Sequence, residues 1–267
     1  MLNDKTIQGF KAGLRGELIQ RGDSRYEEAR KLYNAMIDKR PLLIARCADA
    51  ADVISAVRLG RENDLLTAIR GGGHNGPGLG SCNDGLVIDL SLMKGVRVDP
   101  ANSTARAGGG CTQGEVDHAC HPFGLAVPAG IVSTTGIGGL TLGGGHGYLS
   151  RKYGLTIDSL IEADVVLADG SFVTASATQH EDLFWALRGG GGNFGVVTSF
   201  LYQARPVHTV LAGPIFWDAK DARRVMQWYR QFLPQAPVEL YTFLGLQIVP
   251  SAAPFPREIW GRHACYL

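Results

Sequence analysis

Arg70-Gly71-Gly72-Gly73-His74-Asn75 follows a short apolar run at 66–69 and opens a stretch in which side chains are scarce. The chain has 267 residues and 36 glycines, and 28 of those glycines lie in residues 71–195. Glycine loses more conformational freedom on folding than any other residue, so such density implies a use for bare backbone. The runs at 71–73, 108–110, 143–145 and 189–192 let several N–H groups converge on an anion with no Cβ in the way. They are too many for one phosphate and suit a long ligand such as a dinucleotide. Tight turns and close strand packing explain the same residues, and both readings stay open at this point.

Working outward from this loop, the pattern predicts a helix over 25–36, a strand over 42–45, a helix over 48–63 and a strand over 66–69. Asp49 and Asp52 sit where acidic residues favour a helix start. Beyond the loop come short strands at 86–90, 96–99 and 104–107. A helix over 112–122 follows, with Thr112 and Glu115 spaced as a capping box. Segments 161–167 and 172–175 flank Asp169-Gly170 and read as a hairpin. A helix over 180–187 and a strand over 196–202 complete this region. From Pro206 glycine nearly vanishes and three of the four tryptophans appear, which sets a boundary near 205. A helix over 219–232 and a strand over 240–249 follow. Clustered strands with occasional helices indicate an α+β fold rather than strict βα alternation.

Composition narrows the function. Net charge is +1 and charged residues are 19%, so there is no basic footprint for nucleic acid or acidic lipid. The N-terminal residues hold no apolar run of signal-peptide type, and the longest uncharged stretch, 118–150, is too rich in glycine and polar groups for a membrane span. Five cysteines without a CxxC pair point to reduced thiols and a cytoplasmic protein. GxGxxG occurs at Gly71/Gly73/Gly76 and at Gly190/Gly192/Gly195, but neither stands between a strand and a helix as a Rossmann site requires. Cys111, His118, Cys120 and His121 match no usual zinc spacing, so no metal is expected.

Four stretches occur in a telling order. They are Arg70 to Asn75, Asn83-Asp-Gly-Leu-Val-Ile-Asp-Leu90, Gly136-Ile-Gly-Gly-Leu-Thr-Leu-Gly-Gly-Gly-His-Gly147 and Gly191-Gly-Asn-Phe-Gly-Val-Val-Thr198. Together they resemble the FAD-linked oxidases of the berberine bridge enzyme and 6-hydroxy-D-nicotine oxidase type, with an FAD-binding PCMH-type domain. The resemblance covers about residues 36–267. It implies a helical lead-in over 1–35, a two-subdomain FAD-binding domain over 36–205, and the start of an α+β substrate domain over 206–267.

The resemblance also implies roles. Arg70, Gly71, Gly72, Gly73 and Asn75 match the loop that wraps the FAD pyrophosphate, and His74 matches the histidine bonded to the flavin. Neutral imidazole is a nucleophile apt for that bond. Thr135 falls where the family has a residue over the flavin. Gly136, Gly138, Gly139, Gly143 and Gly147 would lie along the cofactor, and Val196 and Val197 would offer backbone to its adenine end. His146 is read as structural. Many relatives have a second attachment through a cysteine, but Val132 stands at that position, so a single covalent bond is expected. The implied reaction is hydride transfer from a small alcohol, sugar or amine to FAD, with O2 as the acceptor. Family members are considerably longer, so the sequence is expected to be truncated, with most of the substrate domain and the catalytic base missing. No catalytic residue is assigned, and a FAD-binding fragment without turnover is the alternative.

Overall fold

Three of the first four strands are parallel neighbours, and they fix where the Arg70 loop emerges. The computed structural model describes residues 2–267. Helix α1 (Asp4–Gly13) leads into β1 (Glu17–Gln20), the one-turn helix α2 (Tyr26–Ala29), β2 (Leu43–Arg46), α3 (Ala50–Glu62), β3 (Thr67–Arg70) and β4 (Leu86–Asp89). The sheet order is β1-β2-β4-β3, with β1 antiparallel to β2 and both β2 and β3 parallel to β4. Strands β2 and β4 are almost wholly buried and apolar, as strands covered on both faces should be. Asp49 caps α3 by accepting from Asp52 N at 3.0 Å. The Asp52 carboxylate is buried and accepts from the backbone N–H groups of Arg15, Gly16 and Ala48, each at 2.9 Å. Three such bonds compensate for its lost hydration.

A second sheet comes next in the chain. Strands β5 (Val96–Asp99) and β6 (Thr104–Gly108) precede α4 (Gln113–Cys120), the two-residue β7 (Leu125–Ala126), α5 (Ile137–Leu142) and α6 (Ser150–Tyr153). Then follow β8 (Leu160–Val166), β9 (Phe172–Ser176), α7 (Glu181–Leu187), β10 (Val196–Gln203) and the two-residue β11 (Arg205–Pro206). Five of these strands form an antiparallel sheet in the order β5-β6-β10-β8-β9. The β8–β9 hairpin turns at Gly170, whose φ of +83° lies in the region glycine favours. Glu115 accepts from Thr112 N at 2.8 Å, as the capping box requires. Helix α3 lies against β4 of the first sheet and β8 and β10 of the second. One buried cluster accordingly joins Val53, Ala56, Leu86 and Ile88 to Val166 and Val196. The fold is α+β with two sheet-based halves.

Two expectations change, and one helix is new. The N-terminal residues are not only helical, because β1 joins the first sheet. The expected helix over 25–36 shrinks to α2, and the rest of that segment runs as irregular chain beside the Arg70 loop. Within the glycine tract, 137–142 forms a helix that its composition argues against. Its fastening is a buried hydrogen bond of 2.7 Å between the hydroxyls of Thr141 and Tyr202.

A separate compact unit begins at Thr209. It contains β12 (Phe216–Asp218), α8 (Ala222–Phe232), β13 (Gly245–Ile248) and β14 (His263–Tyr266). The sheet order is β12-β14-β13, all antiparallel. The strand expected at 240–249 is shorter because Leu240 N closes a turn onto Pro237 O at 3.0 Å.

Candidate functional site

Strand β3 delivers Arg70 to the edge of the glycine loop, and β4 places Asp89 directly opposite it in register. Both side chains are buried, and Arg70 Nη2 donates to Asp89 Oδ2 at 2.7 Å. A buried charge needs a partner, and Asp89 is the one in reach. Arg70 was expected to face a diphosphate. Its guanidinium is held by Asp89 through Nη2, and the buried Nη1 has no partner within the protein.

The loop after Arg70 is shaped by its own polar residue and by the irregular segment 31–40. Asn75 Oδ1 accepts from Leu79 N at 2.9 Å, so this side chain builds the loop. Asn34 Nδ2 donates to Gly76 O at 2.9 Å, and Lys39 Nζ donates to Gly78 O at 2.8 Å and Ser81 O at 3.0 Å. Gly73 adopts φ +71°, which turns the backbone just before His74.

His74 is half-buried and held on two sides. Its Nε2 lies 3.1 Å from Thr134 Oγ1, and its Nδ1 lies 3.4 Å from Thr135 Oγ1. The Tyr33 ring stacks on the imidazole at 3.9 Å between centroids, with 16° between planes. Burial pushes the imidazole pKa below its ordinary value, partly opposed by a hydrogen bond to the Thr134 backbone. At neutral pH the ring is therefore neutral and keeps a lone pair. Burial also raises the pKa of all five thiols, Cys120 to about 11. None of them is a ready nucleophile.

The glycine tract meets this loop backbone to backbone. A Cβ on Gly72 would collide with Gly136, and one on Gly136 with Gly72. Gly71 and Gly138 both approach Gly109 O. Gln113 N donates to Thr135 O at 2.8 Å and Ile137 N to Cys111 O at 2.9 Å, so α4 fixes the Thr135 segment. The structure thus brings together Gly71, Gly72, His74, Thr135, Gly136 and Gly138. Gly147 packs on Ala129 and Gly130, and Gly143 closes α5 by donating to Gly139 O at 3.1 Å. Val196 and Val197 bury their side chains in core clusters, and Val197 O approaches Gly109.

The glycines sort into two kinds. Cβ atoms on Gly108, Gly109 and Gly110 would strike Met93, Val197 and Leu90 carbonyl oxygens, so that run is packing and not an anion cradle. By contrast, a Cβ on Gly76, Gly139, Gly189, Gly191 or Gly192 would meet nothing within 4 Å. Bare backbone beside open space, with a buried Arg70 Nη1 lacking an acceptor, fits a long ligand bearing phosphates.

Known proteins resolve which ligand. Residues 41–176 match the family model described as the FAD binding domain. The chain belongs to this FAD-binding family. It is 39% identical over 229 residues to the FAD-linked oxidoreductase YgaK of Bacillus subtilis, covering 84% of this chain and 51% of the relative. It is 40% identical over 205 residues to (R)-6-hydroxynicotine oxidase of Paenarthrobacter nicotinovorans, covering 76% and 45%. The crystal structure of 6-hydroxy-D-nicotine oxidase from Arthrobacter nicotinovorans superposes with a TM-score of 0.87 at 33% identity, over 95% of this chain and 55% of that one. The Physcomitrella patens BBE-like 1 structure gives 0.83 at 28% identity, over 98% and 55%. The chain spans about half the length of the curated relatives it matches. The fold is that of the FAD-binding half of these flavoproteins, and the FAD-binding family places the Arg70 and Gly136 stretches in a cofactor-binding domain.

Sequence reading missed Tyr33, Asn34, Thr134 and the partner role of Asp89. Tyr33 and Asn34 were absorbed into a helical pattern. The signal available was Asn34 itself, a poor helix former, a few residues before Pro41.

Proposed function

We propose that this chain is the FAD-side half of an oxidoreductase that takes hydride from a small alcohol, sugar or amine, with FAD bonded covalently to His74. When bound, FAD supplies a two-electron acceptor for that hydride and passes the electrons to O2, giving hydrogen peroxide. The observation that carries the reading is the neutral His74 imidazole, fixed between Tyr33 and two threonine hydroxyls beside open glycine backbone. His74 offers a lone pair, Thr134 and Thr135 orient its nitrogens, and the loop N–H groups bind negative charge. A single attachment is supported by the exposed Val132 at the position of the family's second cysteine and by the buried, raised-pKa thiols. A cytoplasmic location is part of the proposal and is supported by the unpatterned cysteines.

A second reading is that the chain holds FAD without turnover. Peroxide release separates the two. The purified protein is loaded with FAD and offered alcohols, sugars and amines under air. Substrate-dependent peroxide supports the oxidase. Bound flavin with no peroxide and no anaerobic bleaching by any of them supports the FAD holder, and absence of flavin binding overturns both.

A further inference from the structure

The geometry points to Tyr33 as the positioning residue that sets the plane of the His74 imidazole for covalent attachment of FAD. The inference rests on the attachment proposed above. Three contacts constrain the ring, and they differ in kind. Thr134 and Thr135 reach its two nitrogens at 3.1 and 3.4 Å and so fix its rotation within the ring plane. Hydroxyl contacts alone leave the ring free to rock, because terminal torsions of histidine are broad. Tyr33 supplies the missing restraint, a near-parallel face at 3.9 Å and 16°. Tyr33 is in turn fastened to the same loop, since its N–H donates to Gly73 O at 3.2 Å and the neighbouring Asn34 side chain donates to Gly76 O. Most of the Tyr33 side chain is otherwise exposed at 67%, so core packing does not explain it. An exposed tyrosine held against one imidazole by its own backbone serves that imidazole.

In the attachment the imidazole forms a bond from a ring nitrogen to the flavin 8α carbon and loses its N–H proton. One C–H bond of the methyl group breaks, and its hydrogen leaves as a proton. The electron pair passes through the isoalloxazine ring to O2, and with the two protons gives hydrogen peroxide. A nucleophile gains rate when its lone pair is already aimed, and Tyr33 contributes to that aim.

The test follows acid-stable flavin with time after FAD is added to the apoprotein. Tyr33→Ala is expected to slow attachment about three- to tenfold, the size of one aromatic stack. Tyr33→Phe, which keeps the face and loses the hydroxyl, stays within about twofold of wild type. Non-covalent FAD affinity, read by fluorescence quenching in a His74→Ala background, is expected to be unchanged by Tyr33→Ala. An unchanged attachment rate in Tyr33→Ala overturns the inference, and so does an affinity loss that matches the rate loss. If wild type itself yields no acid-stable flavin, the covalent reading has failed and this inference falls with it. Wild type attaching at the same rate as Tyr33→Ala sinks only the role of Tyr33.

Discussion

Residues 71–73 and 108–110 are each three consecutive glycines at the end of a strand, and the fold uses them in opposite ways. The second run lies inside, with carbonyl oxygens of Met93, Val197 and Leu90 where each Cβ would sit. The first run approaches Gly109 O at Gly71 and Gly136 at Gly72, and then turns at Gly73 to present His74. A glycine run therefore reports that something approaches the backbone closely, but not what approaches. In one case it is three carbonyl oxygens, and in the other it is the Gly136 backbone, beyond which the loop reaches open space only at Gly76.

The comparison is broken most severely by filling the inner run. Gly110→Ala forces a methyl group into the Leu90 carbonyl, and the loss is expected to be about 4 kcal/mol, read as a collapse of the thermal midpoint. Next comes the buried pair behind the outer run. Asp89→Ala leaves Arg70 buried and unpaired and should cost about 3 kcal/mol by urea titration. A loss under about 1 kcal/mol would mean that Arg70 finds another acceptor. Tyr202→Phe removes the hydroxyl that fastens α5 and is expected to cost about 1–2 kcal/mol while weakening FAD binding, since α5 carries the open Gly139. Gly139→Ala should do the reverse of Gly110→Ala. It sits in a helix with nothing within 4 Å, so stability rises by up to about 1 kcal/mol while FAD affinity falls. If Gly139→Ala leaves FAD affinity intact, the open face of α5 is not the cofactor surface.

The smallest effect is a pH dependence. The folded His74 pKa lies below its ordinary value, so the neutral nucleophile persists as pH falls through about 6.5. The attachment rate should stay level there and decline only further into acid. By the same sign, the preference of the fold for neutral His74 is fully present above the ordinary histidine pKa and is lost as pH drops through the depressed one. A rate that halves near the ordinary histidine value would show that burial does not hold the ring neutral.

Much of the scaffold was legible because its signals are local. The Thr112/Glu115 cap, the Asp169-Gly170 hairpin and the strand at 96–99 each depend on neighbours within a few residues. The order of four glycine-bearing motifs was enough to resemble the family, and the match over 41–176 shows it. What was not legible depends on distant partners. Charges at helical spacing over 25–36 could not reveal that Tyr33 stacks on a histidine in the loop after β3. Nor could glycine composition reveal a helix at 137–142, which is fastened by Tyr202 from β10. The pairing of Arg70 with Asp89 likewise appears only once β3 and β4 come into register.

The central claim is that His74 carries the flavin. It is tested most directly by loading the protein with FAD, precipitating it with acid and reading flavin absorbance in the washed pellet, for wild type and His74→Ala. The account predicts a yellow wild-type pellet and a colourless His74→Ala pellet, with the variant still binding FAD before acid is added. Flavin released wholly into the supernatant by wild type, or retained by His74→Ala, would contradict it.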